Sequence, residues 1–190
     1  MCVFPENRKD LAITCEGVFM ETFKFSKKGD EGKTSLLTGT RVSKASLRPE
    51  TYGTLDEASS ALGLAKAFTK NEKVIQMIDD VQGDLVVLGA ELAYEKGEEK
   101  TYQIEADRTS CLEVWIEELQ KEVPLPRHFI HPGASAVSAA VDLARTIVRR
   151  AERRAVALKE SGLLDHEEVH SYLNRLADFL FVLARYTEKE

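Results

Sequence analysis

The sequence is poor in cysteine, has no excess of positive charge and contains no long apolar run, and each absence excludes a class of protein. The cysteines, Cys2, Cys15 and Cys111, are odd in number and lack CxxC spacing, so they indicate neither a disulfide framework nor a zinc cluster. A net charge of -6 argues against general nucleic-acid binding, which requires a basic domain. No apolar run approaches membrane-spanning length. A reducing cytoplasm, with no nucleic-acid or membrane partner, is the simplest setting.

What the sequence does contain is typical of one globular domain. Its 190 residues suffice for a substantial core, and 43% are hydrophobic against 31% that are charged. Residues 1–22 lack any sustained period, and charged side chains between Met1 and Phe19 interrupt the apolar core that a signal peptide needs. We therefore divide the chain into an N-terminal extension at 1–22, for which we expect little order, and one domain at 23–190.

Helical periodicity dominates the chain after residue 50. Apolar side chains recur three or four residues apart and predict five helices, at about 50–69, 72–94, 107–122, 135–161 and 166–188. The expected inward residues are Leu55, Ala58, Leu62, Ala65, Phe68, Val74, Ile78, Val81, Leu85, Leu88, Leu92, Leu112, Trp115, Ile116, Leu119, Ala144, Ile147, Val148, Ala151, Ala155, Leu158, Val169, Leu173, Leu176, Leu180 and Leu183. The pattern predicts an all-α, up-and-down five-helix bundle. Residues 23–48 are predicted to form a structured glycine- and lysine-rich loop with a short strand.

Five arginines fall within the ten residues from Arg145 to Arg154 of the fourth predicted helix, although the protein is acidic overall. Helical spacing sets four charged side chains along one face, namely Arg145, Arg149, Glu152 and Arg153. Like charges one turn apart repel, so the row needs water or an anion to neutralise it. Planar guanidinium groups suit phosphate oxygens. On this run alone, a solvated face that binds nothing is an equal alternative.

A glycine-rich segment, Ser26-Lys-Lys-Gly-Asp-Glu-Gly-Lys-Thr-Ser35, precedes the helices. Glycines let backbone N–H groups approach an anion, while lysines and hydroxyls add charge and hydrogen bonds. The segment resembles a P-loop, but two residues separate its glycines where a P-loop requires four, and the residues that follow do not open a helix. It is therefore interpreted as an anion-binding loop or a generic basic loop, and not as a Walker A site.

The segment His166-Glu-Glu-Val-His170 is a literal HExxH, which on a helix would hold zinc with Glu167 as general base. However, the pattern is short enough to arise by chance, and it lies at the polar start of the last helix, after Asp165. Glu188 is a poor third ligand. Acidic residues near the positive end of the helix dipole explain the segment adequately. A zinc hydrolase therefore stays a minor alternative.

Two polar positions have both a structural and a functional interpretation. Asp56 and Glu57, in Tyr52-Gly-Thr-Leu-Asp-Glu57, are either ordinary first-turn acids or, for Asp56, a group that orients an arginine or helps hold a metal-bound phosphate. Asn174 offers a donor and an acceptor, yet alone it would be interpreted as a surface amide.

Five segments in a fixed order carry a resemblance to a known family over about Phe23 to Tyr186. The segments are Ser26-Lys-Lys-Gly-Asp-Glu-Gly-Lys-Thr34, Tyr52-Gly-Thr-Leu-Asp-Glu57, Phe129-Ile-His-Pro-Gly133, Ala144-Arg-Thr-Ile-Val-Arg-Arg-Ala-Glu-Arg153 and Tyr172-Leu-Asn-Arg-Leu-Ala-Asp178. Together they resemble the PduO-type ATP:cob(I)alamin adenosyltransferases, or corrinoid adenosyltransferases. The resemblance implies a five-helix bundle assembled as a homotrimer with its sites between subunits.

The resemblance also implies roles for individual residues. The residues matched to ATP binding are Ser26, Lys27, Lys28, Gly29, Thr34, Ser35, Lys44, Arg149, Arg150, Glu152, Arg153 and Asn174. Those matched to catalysis are Arg145, Arg149 and Asp56, with Arg145 and Asp56 pairing across the subunit interface. Phe129 matches an aromatic residue at the lower face of the corrinoid. Arg154 is expected to be solvated. No protein metal site is implied, because Mg²⁺ would be held through the ATP phosphates.

The implied reaction transfers the 5′-deoxyadenosyl group of ATP to cob(I)alamin and releases triphosphate. Co(I) is itself a strong nucleophile, so the absence of an obvious Ser or Cys nucleophile is consistent with this chemistry. The implied ligands are ATP, Mg²⁺ and cobalamin as substrate, and the implied partners are a corrinoid reductase or a B12-dependent enzyme. A non-catalytic ATP and corrinoid carrier of the same fold is the alternative.

Several positions depart from the family pattern. Ser26 stands where Thr is usual and Lys28 where Thr or Asn is usual, and both changes are tolerable at a phosphate site. His131 and Ala134 stand where Leu and Gly are typical. Because a histidine that ligates cobalt would oppose reduction to Co(I), we expect His131 to point away from the metal, unless corrinoid handling is altered in this protein.

Overall fold

The computed structural model describes residues 27–95, 97, 101–125 and 128–189, which form a hairpin followed by five helices. The helices are α1 (Leu47–Phe68), α2 (Glu72–Leu92), α3 (Ala106–Glu122), α4 (Ala136–Glu160) and α5 (Glu168–Tyr186). The hairpin pairs β1 (Lys33–Ser35) antiparallel with β2 (Arg41–Ser43). The prediction of five helices is confirmed, and the predicted glycine-rich loop contains two short strands. The predicted extension at 1–22 lies outside the described residues.

Local capping explains where two of the helices begin. The Asn71 side chain accepts hydrogen bonds from the N–H groups of Lys73 and Val74, at 3.1 and 3.3 Å, and so caps α2. At α4, Ser135 Oγ accepts from Ser138 N at 3.1 Å while Ser135 N donates to Ser138 Oγ at 2.9 Å. This reciprocal cap fixes the start of the helix that carries the arginines.

Helix α4 packs between α1 and α5, while α2 packs on α1 and α3 on α5. Its small buried residues, Ala144, Ala151 and Ala155, allow close approach of these neighbours. Nearly all the predicted inward residues are buried or packed against the core. Phe68 is an exception, with 55% of its surface exposed, because it is the last residue of α1 and the packed stripe ends at Ala65.

The start of α5 differs from the prediction. We expected the helix to begin near His166 with Asp165 as its cap, but the first helical residue is Glu168 and Glu167 occupies the capping position. His166 is instead held in the connection, where its Nδ1 lies 2.8 Å from Oε1 of the buried Glu91. The contact with this distant partner accompanies a start of α5 that is two residues later than local periodicity predicts.

A buried ion pair joins three helices in the core. Asp84 on α2 accepts from Arg108 on α3, with Nε–Oδ1 and Nη2–Oδ2 distances of 2.9 Å each. The hydroxyl of Tyr172 on α5 donates to Asp84 Oδ2 at 2.9 Å. Burial alone would lower the pKa of Arg108, but its hydrogen bonds and charge interaction with Asp84 raise that pKa above its ordinary value. In the described part of the chain, no helix is long and apolar enough to cross a membrane.

Candidate functional site

The arginine row on α4 is only partly neutralised by the chain itself. Arg150 forms an ion pair with Glu57 of α1, yet its Nε is buried with no hydrogen-bond partner among the described residues. Arg154 lies 3.2 Å from Glu50 in an exposed ion pair, so it is paired rather than simply solvated. Arg149 is exposed, and within the described ranges its guanidinium has neither hydrogen bond nor ion pair. An anion-binding group is therefore available on this face.

Two predicted ATP-binding residues from different helices lie together beside Arg149. Asn174 Nδ2 on α5 donates to Glu152 Oε1 on α4 at 3.1 Å. Arg153 donates through Nη1 to the backbone oxygen of Arg149 at 2.9 Å, which bends its side chain back along α4. The packing of α5 on α4 thus assembles these polar groups into one surface, which we call the arginine face.

A partly buried imidazole, whose ring nitrogens are both buried, adjoins the arginine face. His170 lies one turn before Asn174 on α5, and neither ring nitrogen has a hydrogen-bond partner among the described residues. Burial lowers the pKa of His170, and the nearby Lys159 lowers it further, whereas Glu167 and Glu152 act in the opposite direction. The net direction is downward, so the neutral imidazole is the form that the fold favours.

This shift predicts that acid destabilises the fold through His170. Above its ordinary value of 6.5 the imidazole is neutral in both the folded and the unfolded chain, and its full contribution to stability is present. As the pH falls from 6.5 through the lowered folded pKa, the unfolded chain binds the proton first, and that contribution is lost. Thermal unfolding measured from about pH 7 to about pH 5 should therefore show a smaller loss of stability in His170→Leu than in the wild type. His131→Leu controls for removing one histidine, and equal pH slopes in wild type and His170→Leu would contradict the prediction.

The glycine-rich loop is ordered by its own side chains. Lys27, Lys28 and Gly29 form a 3-10 turn, and Arg41 donates from β2 to the backbone oxygen of Lys28 at 2.6 Å. A Cβ added at Gly29 would lie 3.0 Å from Lys44 Nζ, so glycine lets the Lys44 ammonium lie against the turn. The loop thereby gathers cationic side chains around exposed backbone, as an anion site requires.

The other predicted loop residues lie in or near the hairpin. Thr34 and Ser35 belong to β1, and Ser35 Oγ accepts from Arg41 at 3.3 Å. Ser26 lies outside the described residues. The hydrogen bonds that tie the loop to the bundle reach the end of α2, from Leu37 N to Ala93 O at 3.1 Å and from Thr40 Oγ1 to Glu95 at 2.7 Å. The loop is thus anchored to α2, whereas the arginine face is built by α4 and α5.

Asp56, which the family resemblance pairs with Arg145 of another subunit, lies on α1. Its exposed side chain lines a shallow pocket of about 220 Å³ between α1 and α2, together with Tyr52, Ser59 and Val86. Glu57, its neighbour, faces α4 and pairs with Arg150. Asp56 is therefore exposed beside an apolar surface, whereas Glu57 pairs with an arginine of the same chain.

A second cavity, of about 580 Å³, brings Phe129 and Arg145 together. Its lining residues are His128, Phe129, Ile130, Pro132, Asp142, Arg145, Phe181 and Arg185. Phe129 is fully exposed on the connection between α3 and α4. His131 and Ala134 are exposed on the same connection, but neither lines this cavity. The apolar ring and the guanidinium that the sequence assigned separately thus belong to one cavity, which we call the Phe129 cavity.

Asp142, Phe181 and Arg185 also line the Phe129 cavity, although none of them was predicted as a site residue. Asp142 is buried and accepts from Arg145 Nε at 2.9 Å and from Arg185 Nη2 at 2.5 Å. Both guanidinium groups lie over the ring of Phe181. An acid three residues before Arg145 is a recognisable helical pairing signal. In contrast, the contact with Arg185 requires the packing of α5 on α4.

The HExxH segment does not form the arrangement that zinc hydrolysis requires. His166 lies before α5 and is engaged with Glu91, while Glu167 accepts from Lys159 Nζ at 2.7 Å. The hydrogen bond and charge of Lys159 lower the pKa of the Glu167 carboxyl. Among the described residues, no group of three or more His, Cys, Asp or Glu side chains is arranged to hold a metal ion. The geometry therefore gives this alternative no support.

The chain is similar to known proteins over most of its length. The sequence model of the family described as "Cobalamin adenosyltransferase" matches residues 24–187. The chain is 42% identical over 165 residues to the corrinoid adenosyltransferase of Bacillus subtilis (strain 168), covering 85% of this chain and 84% of that protein. It is 40% identical over 163 residues to corrinoid adenosyltransferase PduO of Citrobacter freundii, covering 85% of this chain and 48% of that protein, about half of the relative's length.

Solved structures extend the likeness to the fold. A variant of the PduO-type ATP:corrinoid adenosyltransferase from Lactobacillus reuteri, complexed with cobalamin and ATP, superposes with a TM-score of 0.81 at 30% identity, covering 87% of this chain and 90% of that one. A second variant, complexed with ATP, gives a TM-score of 0.80 at 30% identity, covering 87% and 94%. The family match spans nearly all of the domain and both candidate surfaces, and the chain therefore belongs to the cobalamin adenosyltransferase family.

Proposed function

We propose that this protein is an ATP:cob(I)alamin adenosyltransferase, which transfers the 5′-deoxyadenosyl group of ATP to cobalt and releases triphosphate. The observation that carries the proposal is the exposed Arg149 guanidinium, which has no partner in the described part of the chain and lies beside the Glu152–Asn174 pair. The relatives named as corrinoid adenosyltransferases, and the L. reuteri structure complexed with cobalamin and ATP, support the same function.

In this proposal the arginine face and the glycine-rich loop enclose ATP. Arg149 and Arg150 supply donors to the phosphate oxygens. Lys27 and Lys44 add charge from the loop, where backbone N–H groups are also available. Mg²⁺ would be held chiefly through phosphate oxygens, as is usual for this ion with nucleotides.

The chemistry needs no protein nucleophile. Co(I) donates an electron pair to C5′ of ATP, the C5′–O bond breaks, and its electron pair leaves with the triphosphate. The Co–C product is formally Co(III). The residues of this chain hold C5′ in line with cobalt and stabilise charge on the departing triphosphate, which are positioning and electrostatic tasks. Phe129, exposed at the edge of its cavity, would exclude water from the lower face of the corrinoid and so favour the reduced metal.

A homotrimer with sites between subunits is the assembly that we propose. The loop is anchored to α2, whereas the arginine face belongs to α4 and α5. We therefore propose that the loop of a second copy of the chain completes the ATP site beside the arginine face. Asp56 is exposed on α1, and Arg145 lies in the Phe129 cavity, which is compatible with a pair formed across the interface. The cytoplasm and a corrinoid reductase partner stay proposals that rest on the sequence.

Mixed oligomers test whether the site spans two subunits. Lys44→Ala removes a loop cation and Arg149→Ala removes an arginine-face cation, and each homo-oligomer should be nearly inactive. Co-expression of the two variants with different tags, followed by tandem purification, gives mixed oligomers. If loop and arginines of one site come from different copies, about a third of wild-type activity should return, because every mixed trimer then contains one intact site among its three. If both walls come from one chain, no site is intact and no activity returns.

The function itself is tested by direct turnover. The protein is mixed with MgATP and chemically reduced cobalamin without oxygen, and loss of cob(I)alamin absorbance is followed together with triphosphate release. We expect equal amounts of Co–C product and triphosphate. Tight ATP binding with neither product would overturn the proposal and favour the carrier alternative.

A further inference from the structure

We propose that Asp142 and Arg185 are positioning residues that aim Arg145 into the Phe129 cavity, and that they control the corrinoid half of the reaction. This inference rests on the proposed function. Asp142 is only 2% exposed and Arg185 only 3% exposed, and both line a cavity that also contains the exposed Phe129. Burying a charge costs free energy unless the charge is paired, so the partners of Asp142 and Arg185 determine how their side chains are oriented.

Asp142 binds two arginines with separate oxygens. Its Oδ1 accepts from Arg145 Nε at 2.9 Å, one helical turn along α4, and its Oδ2 accepts from Arg185 Nη2 at 2.5 Å on α5. Arg185 Nε lies 2.8 Å from Glu188 Oε1, although this contact lacks hydrogen-bond alignment. The carboxylate is thus fixed between two helices, and its orientation cannot change without moving Arg185.

The ring of Phe181 fixes the same two guanidinium groups from a second direction. Arg185 Cζ lies 5.5 Å from the ring centroid and Arg145 Cζ lies 6.0 Å from it. Contacts at this range are favourable, because the face of an aromatic ring attracts a cation. Arg145 is therefore held by the hydrogen bond from its Nε to Asp142 and by the contact of its guanidinium with the Phe181 ring.

These two contacts leave the terminal nitrogens of Arg145 available to an additional hydrogen-bond acceptor. Within the described part of the chain, Nη1 and Nη2 of Arg145 have no hydrogen-bond or ion-pair partner, although the side chain is partly buried. Engagement through Nε is the arrangement that leaves both terminal N–H groups for an external acceptor. The acceptor is a carboxylate or carbonyl oxygen that reaches the cavity from a second copy of the chain or from the corrinoid.

Asp142→Asn tests this role with little change in volume. The amide oxygen of asparagine can accept from one arginine, but its NH₂ group then faces the donors of the other, so Arg145 loses its fixed direction. Misplacement of a positioned group by about 1 Å typically costs about 100-fold, and we expect kcat/KM for cob(I)alamin to fall about 10- to 100-fold. The KM for ATP should change by less than about twofold, because the arginine face is separate.

A double-mutant cycle separates positioning from general weakening. If Asp142 acts through Arg145, Asp142→Asn should lower kcat/KM by less than about threefold in an Arg145→Ala background. Independent, multiplicative losses would overturn the inference. Arg185→Lys, which keeps the charge but loses the planar fork, gives a second test and should produce a milder loss specific to cob(I)alamin. An unchanged kcat/KM in Arg185→Lys would remove Arg185 from the proposed arrangement.

Asp84→Asn is the matched control, because Asp84 is another buried carboxylate that binds an arginine on a different helix. It should lower the unfolding temperature without a selective effect on the corrinoid kinetics. If Asp142→Asn and Asp84→Asn alter stability and kinetics alike, Asp142 has a structural role and the inference fails. An inactive wild-type protein would instead refute the proposed function, so the two failures are distinguishable.

Discussion

Replacement of Arg149 by alanine should lower kcat about 100- to 1,000-fold while the bundle stays folded. Arg149 is exposed on α4 and has no partner in the described ranges, so its removal breaks no internal contact that the structure shows. Alanine also favours the helical backbone. The loss follows from the proposed role, because removing one preorganised donor from a developing anion typically costs about that factor.

Arg154→Ala is the matched control for this prediction. It removes a guanidinium from the same helix, but Arg154 is exposed and pairs with Glu50 of α1 at 3.2 Å. Activity should stay within about threefold of the wild type, since an exposed ion pair contributes less than about 1 kcal/mol. Steady-state rates with saturating MgATP and cob(I)alamin, together with circular dichroism, give both readouts. Wild-type kinetics for Arg149→Ala would remove Arg149 from the site.

Replacement of Asp84 by alanine should lower the free energy of unfolding by about 3–5 kcal/mol, the usual cost of removing one partner from a buried ion pair. Asp84 has no exposed surface, and the change would leave the Arg108 guanidinium and the Tyr172 hydroxyl without their shared acceptor. For a chain of this length the unfolding temperature should fall on the order of 10 °C. Thermal unfolding at fixed protein concentration measures the change.

Asp79→Ala provides the comparison on the same helix. Asp79 pairs with Lys66 at 2.5 Å, but 47% of its side chain is exposed. Water and salt screen such a pair, and its loss should cost less than about 1 kcal/mol. If the two variants unfold at the same temperature, the ion pair at Asp84 is not a main source of stability.

The helices could be predicted because their signal is local. In α2 and α5 the apolar residues recur every three or four positions, and the predicted inward residues, from Val74 to Leu92 and from Val169 to Leu183, are buried. The start of α5 near His166 was predicted wrongly because the contact made by His166 is not local. Its partner Glu91 is 75 residues away, and no local pattern reveals that contact.

In the candidate site, too, local features could be predicted and tertiary contacts could not. Spacing on one helix indicated the arginine row, and the glycines and lysines indicated an anion-binding loop. The contact between Glu152 and Asn174 spans 22 residues, and that between Asp142 and Arg185 spans 43, so both depend on how α5 packs against α4. Helical spacing indicated Arg145 and the family resemblance indicated Phe129, but neither could place the two residues in one cavity.

By itself, the sequence determined five helices, their inward faces, the cationic groups available to an anion and the family resemblance, because helical periodicity and motif order are properties of neighbouring residues. Only the tertiary structure decided which charges are neutralised within the chain. It paired Arg150 with Glu57, Arg185 with Asp142 and Arg108 with Asp84, and it left Arg149 without a partner in the described residues. For the buried pairs of Asp142 and Asp84, the physical reason is that a buried charge requires a partner at hydrogen-bond distance, and that distance is set by the packing of helices far apart in sequence.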